Sequence, residues 1–244
     1  MATVTHLLFD FGGTLDGPAH WLDRFLAQYR AAGIEISRAE LDPAFDNATR
    51  MGYRTTHLVG RFGLVDLVRF LVGNQFEYLR KRGPEQVRAM LEQGGPAGRH
   101  RVVEAVTASF VRETIAGMEH SRETLTPLKA NFTFGVVSNF YGNLGRILAE
   151  ARMDTLFSAV IDSSRIGIFK PDPAIFAAAL KRMHAMADCV AVIGDSLSKD
   201  IVPAKSLGMR TVWYRAAGRT DAIPANVPAD FTIDSLGALL DIKW

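Results

Sequence analysis

The segment LLFDFGGTLD, residues 7–16, decides how the rest of the chain is organised. Its apolar run ends at Asp10 and meets a glycine pair that begins at Gly12. Such a run is too short for a helix, so it predicts a buried β-strand over residues 4–9 that stops at a turn. Residues 19–119 then carry apolar side chains at three- and four-residue steps, which is typical of helices. We therefore expect one strand to precede a long helical block.

From residue 121 onward, apolar runs alternate with helical patterns. Continuous apolar strands that alternate with helices indicate a parallel sheet buried on both faces. The sequence thus predicts an α/β fold: a Rossmann-like, doubly wound parallel sheet core from residues 1–16 and 120–244, with an all-helical domain inserted at 17–119. The later predicted strands are 132–137, 158–162, 189–194, 210–214 and 231–233, and the predicted helices are 121–130, 143–152, 173–184, 200–207 and 235–241.

The inserted block contains several signals for where helices begin and end. Ser37 and Glu40 have the spacing of a capping box, and Pro43 is expected to limit the helix that follows. Residues 51–57 are polar and contain glycine, which suggests either a specificity loop, with Arg54 reaching an anion, or an ordinary surface turn. Further helices are predicted over 64–80 and 101–116, and an exposed connection in the core is predicted over 216–230.

The composition is that of a globular protein, since 48% of the 244 residues are hydrophobic and 22% are charged. Lysine and arginine total 28 against 26 acidic residues, and the net charge of +2 speaks against a dedicated nucleic-acid binder. No apolar stretch reaches the length of a membrane span, and the N-terminus lacks the pattern of a secretory signal. The single cysteine excludes an intrachain disulfide and suits a reducing compartment, so we expect a cytoplasmic protein of undetermined oligomeric state.

Polar side chains are concentrated directly after the predicted strands. In an open parallel sheet, ligands bind beyond the carboxyl ends of the strands. Carboxylates from two strand ends can share one divalent cation, and oxygen ligands suit Mg²⁺, whereas a hydroxyl, an amide and a lysine would neutralise a phosphoryl group. This edge of the sheet is therefore predicted to form a magnesium-assisted phosphate site. The residues concerned are Asp10, Thr14, Asp16, Ser138, Asn139, Asp162, Ser163, Ser164, Lys170, Asp195, Ser196, Ser198, Lys199 and Asp200.

Four segments resemble, in chain order, the four motifs of the haloacid dehalogenase superfamily. LLFDFGGTLD is similar to the first motif, in which a nucleophilic aspartate precedes a Gly-Thr turn. VVSN, residues 136–139, resembles the second, and FKPDP, residues 169–173, resembles the third, a lysine at a helix start. VIGDSLSKDI, residues 192–201, resembles the fourth, a pair of acidic residues. The helical insertion stands where this family carries its cap domain, between the first two motifs.

The resemblance implies a nucleophile and a metal site at the sheet edge. Asp10 is implied to take the phosphoryl group as an aspartyl phosphate. Asp10 and Asp195 are implied to bind Mg²⁺ together with the backbone carbonyl of Gly12. Asp200 is implied to support the same ion through water.

The resemblance also implies a phosphate-binding set. Ser138, Asn139 and Lys170 are implied to bind phosphoryl oxygens. Lys170 is implied to be catalytic as well, because its ammonium would keep Asp10 ionised. Thr14 is implied to orient the loop and to contribute to phosphate binding.

One position departs from the family pattern. The family's phosphatases carry a second aspartate two residues after the nucleophile, and this chain has Gly12 there. In the family that carboxyl group protonates the leaving group and later activates water. Such general acid–base catalysis typically raises the rate by about 10²–10⁴-fold. Three alternatives follow. The substrate has a leaving group that needs no proton; Asp16, His20 or His57 replaces the missing group; or the protein binds a phosphate ligand without turnover.

The resemblance implies a HAD-like hydrolase, a Mg²⁺-dependent phosphatase that acts on a small phosphorylated metabolite. The charge balance and the apolar run lengths add the expectation that neither nucleic acid nor a membrane is a partner. The alternative from another class is a non-catalytic phospholigand-binding protein on the same scaffold. Weaker alternatives are carbon–halogen and carbon–phosphorus hydrolysis. The latter uses a cap lysine, and the inserted block has only Lys81, within a basic run that suits a solvated face.

Overall fold

The computed structural model describes residues 2–216 and 226–244. The chain forms two compact units: Met1–Pro18 with Ala116–Trp244, and Ala19–Ile115. Most of the connection predicted over 216–230 lies outside the described residues. Within the described part, no helix combines the length and the apolar character needed to cross a membrane.

Six strands of the described residues form one sheet, and every neighbouring pair is parallel. The strand order is 3-2-1-4-5-6, so the chain direction across the sheet reverses between the first and fourth strands. This arrangement confirms the predicted Rossmann-like α/β fold. The strands are β1 (His6–Phe9), β2 (Thr133–Ser138), β3 (Phe157–Asp162), β4 (Val190–Gly194), β5 (Arg210–Tyr214) and β6 (Phe231–Ile233).

The inserted unit is helical, as the periodicity indicates. Ser37 and Glu40 form the expected capping box, in which the Ser37 N–H donates to Glu40 Oε2 at 2.7 Å and the Glu40 N–H donates to Ser37 Oγ at 3.3 Å. Its helices are α1 (Trp21–Ala31), α2 (Arg38–Arg54), α3 (Thr56–Val59), α4 (Leu64–Arg82) and α5 (Glu85–Glu92), and α6 (Gly95–Leu125) begins in this unit.

Two expectations about α2 are wrong. The helix runs through Pro43 to Arg54, so the proline does not limit it. The hydrogen bond that Pro43 cannot donate would go to the carbonyl of Ala39, an exposed residue whose carbonyl can bond to water instead. Residues 51–57 are mostly helical rather than a loop, because they contain the end of α2 and the start of α3.

The two helices predicted at 101–116 and 121–130 are one 31-residue helix, α6, followed by the 3₁₀ turn Thr126–Ala130. Gly117 lies inside α6 and does not have a positive φ. It therefore does not form the left-handed glycine cap at which many helices end. Four shorter helices follow in the core: α7 (Leu144–Glu150), α8 (Ser163–Ile166), α9 (Ala174–Met183) and α10 (Val202–Ser206). Short 3₁₀ turns and a π-helical turn account for the other predicted helical segments.

The core is built from the sheet and the helices beside it. Leu8 of β1, Val137 of β2 and Val192 of β4 are completely or almost completely buried, and Phe176 of α9 packs in the same cluster. These strands are apolar on both faces because helices cover both sides of a doubly wound sheet.

Gly117 is expected to be intolerant of a side chain for a steric reason. A Cβ atom there would lie 2.5 Å from the carbonyl oxygen of Asp16, a backbone atom that cannot rotate away. We expect Gly117→Ala to lower the free energy of unfolding by about 1–3 kcal/mol. Gly73→Ala is the matched control, since that helical glycine has nothing within 4 Å of its Cβ position, and it should stabilise by about 0.5–1 kcal/mol. Urea unfolding of both variants measures the difference; equal shifts would contradict the close approach.

Candidate active site

The candidate site lies where the strand order reverses, between β1 and β4. Asp10 directly follows β1 and Asp195 directly follows β4, so neighbouring parallel strands bring both residues to one edge. The Asp10 N–H donates to the carbonyl of Ile193 at 2.8 Å, which continues the β1–β4 ladder to Asp10. Trp213 of β5 donates its indole N–H to the carbonyl of Asp195 at 2.9 Å. Sequence reasoning missed Trp213, because nothing distinguishes it from a buried core residue.

Three buried carboxylates converge at this edge. Asp10, Asp195 and Asp200 each place one oxygen so that all three oxygens lie within 4.8 Å of one another. Asp200 reaches the cluster from the π-helical turn Leu197–Ile201, and its second oxygen accepts the Ser196 N–H at 3.1 Å. A Cβ atom at Gly194 would lie 2.5 Å from Asp200 Cγ, so the approach of Asp200 requires glycine there.

Lys170 joins the cluster from a segment far along the chain. Its ammonium nitrogen lies 2.6 Å from Asp10 Oδ1 and 2.6 Å from Asp200 Oδ1, and all three side chains are buried. Burial alone would lower the pKa of Lys170, but the charges of Asp10 and Asp200 raise it above its ordinary value. Burial raises the pKa of Asp200 to about 6, and the charge of Asp10 adds to this, although Lys170 opposes it. Lys170 is therefore a fixed cation among carboxylates.

The loop after Asp10 is shaped by glycine and by Asp16. Gly13 has a φ of +83°, and a Cβ atom there would lie 2.9 Å from Asp195 Oδ2, so both the backbone and the space require glycine. The Gly13 N–H donates to Asp16 Oδ1 at 2.8 Å, and Asp16 is fully buried. Thr14 Oγ1 is buried and has no hydrogen-bond partner among the described residues. This hydroxyl is available to a ligand.

Two of the three candidates for replacing the carboxyl group absent at Gly12 already take part in hydrogen bonds. Asp16 uses its carboxylate to hold the loop at Gly13. His20 precedes α1, and its Nδ1 accepts the N–H of Leu22 at 3.2 Å. His57 lies on α3 of the inserted unit.

Ser138 and Asn139 lie at the end of β2. Ser138 is its last residue and is buried. Asn139 pairs with the backbone of Lys170: its Oδ1 accepts the Lys170 N–H at 2.7 Å and its Nδ2 donates to the Lys170 carbonyl at 2.9 Å. The structure thus brings together at one edge the segments that carry all the predicted site residues, and it shows that Asn139 bonds to the backbone of Lys170.

The cluster fits a magnesium ion by its chemistry. Its three carboxylates offer only oxygen ligands, which Mg²⁺ prefers. With all of them ionised, one ammonium from Lys170 leaves two negative charges without compensation, and a divalent cation would balance them. The raised pKa of Asp200 reflects this excess of negative charge as well as burial.

A doubly wound parallel sheet with carboxylates and a lysine at its reversal point defines a class of α/β protein in which ligands bind at the carboxyl ends of the strands. The family model for haloacid dehalogenase-like hydrolases matches residues 4–208, and the chain belongs to this family of hydrolases.

Curated relatives agree with this family, and a solved structure shares the fold. The haloacid dehalogenase-like hydrolase domain-containing protein 3 of Danio rerio is 43% identical over 76 residues, 31% of this chain and 31% of that protein. The glyceraldehyde 3-phosphate phosphatase of Pyrococcus furiosus is 27% identical over 206 residues, 82% of each chain. The magnesium-bound HAD-hydrolase YfnB of Bacillus subtilis shares the fold, with a TM-score of 0.58, 18% identity and 98% of each chain covered. The match to the Danio rerio relative spans only about a third of its length.

Proposed function

We propose that this chain is a Mg²⁺-dependent phosphatase that acts on a small phosphorylated metabolite through an aspartyl phosphate on Asp10. The observation that carries the proposal is the buried cluster of Asp10, Asp195 and Asp200 with Lys170 at 2.6 Å from two of the carboxylates. Relatives named glyceraldehyde 3-phosphate phosphatase and ribulose-1,5-bisphosphate 5-phosphatase support this choice of substrate class.

In the proposed reaction, a carboxylate oxygen of Asp10 attacks phosphorus, and the bond from phosphorus to the leaving oxygen breaks. The leaving oxygen keeps the electron pair. Lys170, Ser138 and Thr14 bind the phosphoryl oxygens, and the Lys170 ammonium, 2.6 Å from Asp10 Oδ1, holds that carboxylate in place. Water then attacks the aspartyl phosphate, which releases inorganic phosphate and restores Asp10.

Asp10, the Gly12 carbonyl, Asp195 and Asp200 are the groups that would hold Mg²⁺. When bound, the ion would supply positive charge that offsets the repulsion between Asp10 and the phosphate oxygens. The same residues without that charge would repel a phosphate dianion.

Gly12 favours substrates whose leaving group needs no proton from the enzyme, because this position offers no carboxyl group. The same glycine motivates the second candidate, a non-catalytic phospholigand-binding protein. Phosphate release from a panel of sugar phosphates and acyl phosphates, with and without Mg²⁺, separates the two. Release that depends on Mg²⁺ supports the phosphatase; binding without release supports the phospholigand-binding protein.

Carbon–phosphorus cleavage by a Schiff base is less suited to this chain, because Lys81 is largely exposed and paired with Glu77.

The metal proposal predicts a stabilisation by Mg²⁺ that depends on pH. At roughly 100 times Kd, an ion that binds only the folded state adds about 2.7 kcal/mol to the free energy of unfolding. Because the pKa of Asp200 is raised to about 6, a proton competes with the ion in acid. The thermal shift with Mg²⁺ should therefore be larger at about pH 7.5 than at about pH 5.

Asp195→Asn should abolish this shift, since it removes one anionic ligand from the cluster. Asp154→Asn is the control, because Asp154 is exposed and lies on a 3₁₀ turn before β3. Thermal unfolding followed by circular dichroism gives the Mg²⁺-dependent shift in melting temperature for the parent, for Asp195→Asn and for Asp154→Asn. An unchanged Mg²⁺ shift in Asp195→Asn would show that the ion binds elsewhere.

A further inference from the structure

Lys170 lies on a segment without regular secondary structure. Helix α8 ends at Ile166 and α9 begins at Ala174, so no helix or strand holds the backbone between them. The ammonium of Lys170 nevertheless meets Asp10 and Asp200 at 2.6 Å each. Contacts this short to two partners require that the backbone of Lys170 be held in place.

Asn139 supplies that support. Its amide oxygen accepts the Lys170 N–H at 2.7 Å and its amide nitrogen donates to the Lys170 carbonyl at 2.9 Å, so one side chain satisfies both backbone groups of one residue. Partly buried backbone groups need such partners. The pair spans 31 residues of sequence and connects the end of β2 to the site lysine.

The loop that carries Asn139 is itself fixed by residues at the junction of β3 and α8. The carboxylate of Asp162 accepts N–H bonds from Gly142 at 2.9 Å and from Leu144 at 3.1 Å. Ser163 Oγ accepts the N–H of Phe140 at 2.9 Å. These bonds hold the chain on the C-terminal side of Asn139, so that the amide is presented to Lys170 by a rigid support.

We infer that Asn139 is a positioning residue that acts through Lys170, rather than a direct phosphate ligand. Its amide oxygen and one of its amide N–H groups are already bonded to the backbone of Lys170. Asp162 at the end of β3 and Ser163 at the start of α8 support it. The inference rests on the proposed phosphatase function for its kinetic test, but its structural test needs no activity.

The kinetic test uses p-nitrophenyl phosphate with Mg²⁺ and the variant Asn139→Ala. A displaced Lys170 is expected to lower kcat/KM by roughly 10²-fold, because Lys170 both contacts Asp10 and binds the phosphoryl oxygens in the proposed reaction. In a Lys170→Met background, the same Asn139→Ala change should have no further effect on kcat/KM, because the residue through which it acts is gone. Additive losses of kcat/KM in the double variant would overturn the inference, because they would show that Asn139 acts independently of Lys170. Ser158→Ala is the control, since it removes a side-chain bond to the carbonyl of Phe134 outside the site.

The structural test follows acetylation of Lys170 by a succinimidyl ester, with the exposed Lys181 as an internal reference in peptide mass spectrometry. Loss of two hydrogen bonds should make Lys170 more accessible. Its acetylation rate should be about tenfold higher in Asn139→Ala than in the parent or in Ser158→Ala. If Asn139→Ala does not fold, Asn139→Asp keeps the acceptor for the Lys170 N–H, loses the donor, and should also label faster. An unchanged labelling rate would overturn the inference, even in a chain that shows no phosphatase activity. Faster labelling in a chain without activity would support the inference and count only against the proposed function.

Discussion

Replacing Asp10 by asparagine should reduce phosphate release from p-nitrophenyl phosphate by roughly 10⁴-fold or more, because the amide cannot form the aspartyl phosphate. The variant keeps an oxygen that can accept from Lys170, so its fold should survive the change. Beryllium fluoride with Mg²⁺ mimics a phosphorylated aspartate, and it should raise the melting temperature of the parent but not of Asp10→Asn. Phosphate release and thermal unfolding measure the two effects.

Asp172→Asn is the matched control for this change. Asp172 is an exposed carboxylate two residues after Lys170, and its Oδ1 accepts the Ala174 N–H at 2.9 Å. We expect this variant to keep the activity of the parent. If Asp10→Asn retains more than about a tenth of the parent's kcat, Asp10 is not the nucleophile.

Replacing Gly12 by aspartate should raise kcat for an ordinary alkyl phosphate by about 10²-fold or more, because it supplies the general acid that this position lacks. The backbone conformation does not disfavour a side chain here, since Gly12 is not among the described glycines with positive φ, whereas the neighbouring Gly13 is. A carboxyl group helps most when the leaving group is a poor one. The gain should therefore be larger for an alkyl phosphate than for p-nitrophenyl phosphate, whose leaving group departs without a proton.

Gly12→Asn is the matched control, because asparagine has nearly the same shape and cannot transfer the proton. Circular dichroism and the Mg²⁺ thermal shift are measured first for both variants. If Gly12→Asp folds, binds Mg²⁺ and gains no more than Gly12→Asn on any phosphomonoester, the missing carboxyl group does not limit the reaction. The site would then be specialised for another leaving group or for binding alone.

The strands were predictable because each is a short, continuous apolar run. The prediction at 210–214 coincides with β5, and that at 158–162 lies within β3. Helix ends were predicted less well, because they depend on more than local residue type. Pro43 lies inside α2, and Gly117 lies inside α6, although both residue types commonly interrupt helices. The low helix propensity of proline and glycine is not enough at these positions to end a helix that tertiary packing stabilises.

The sequence by itself determined the class of fold, because the period of its apolar residues separates strands from helices, and it determined the residue types that meet at the strand ends. Asp10 and Asp195 could be paired in this way, since parallel strands end at one edge. Only the tertiary structure decided which groups touch. The Lys170 ammonium meets Asp10 across 160 residues, and Asn139 turns both ends of its amide to the Lys170 backbone. Such contacts depend on loop conformation and side-chain direction, and neither leaves a periodic signal in the chain.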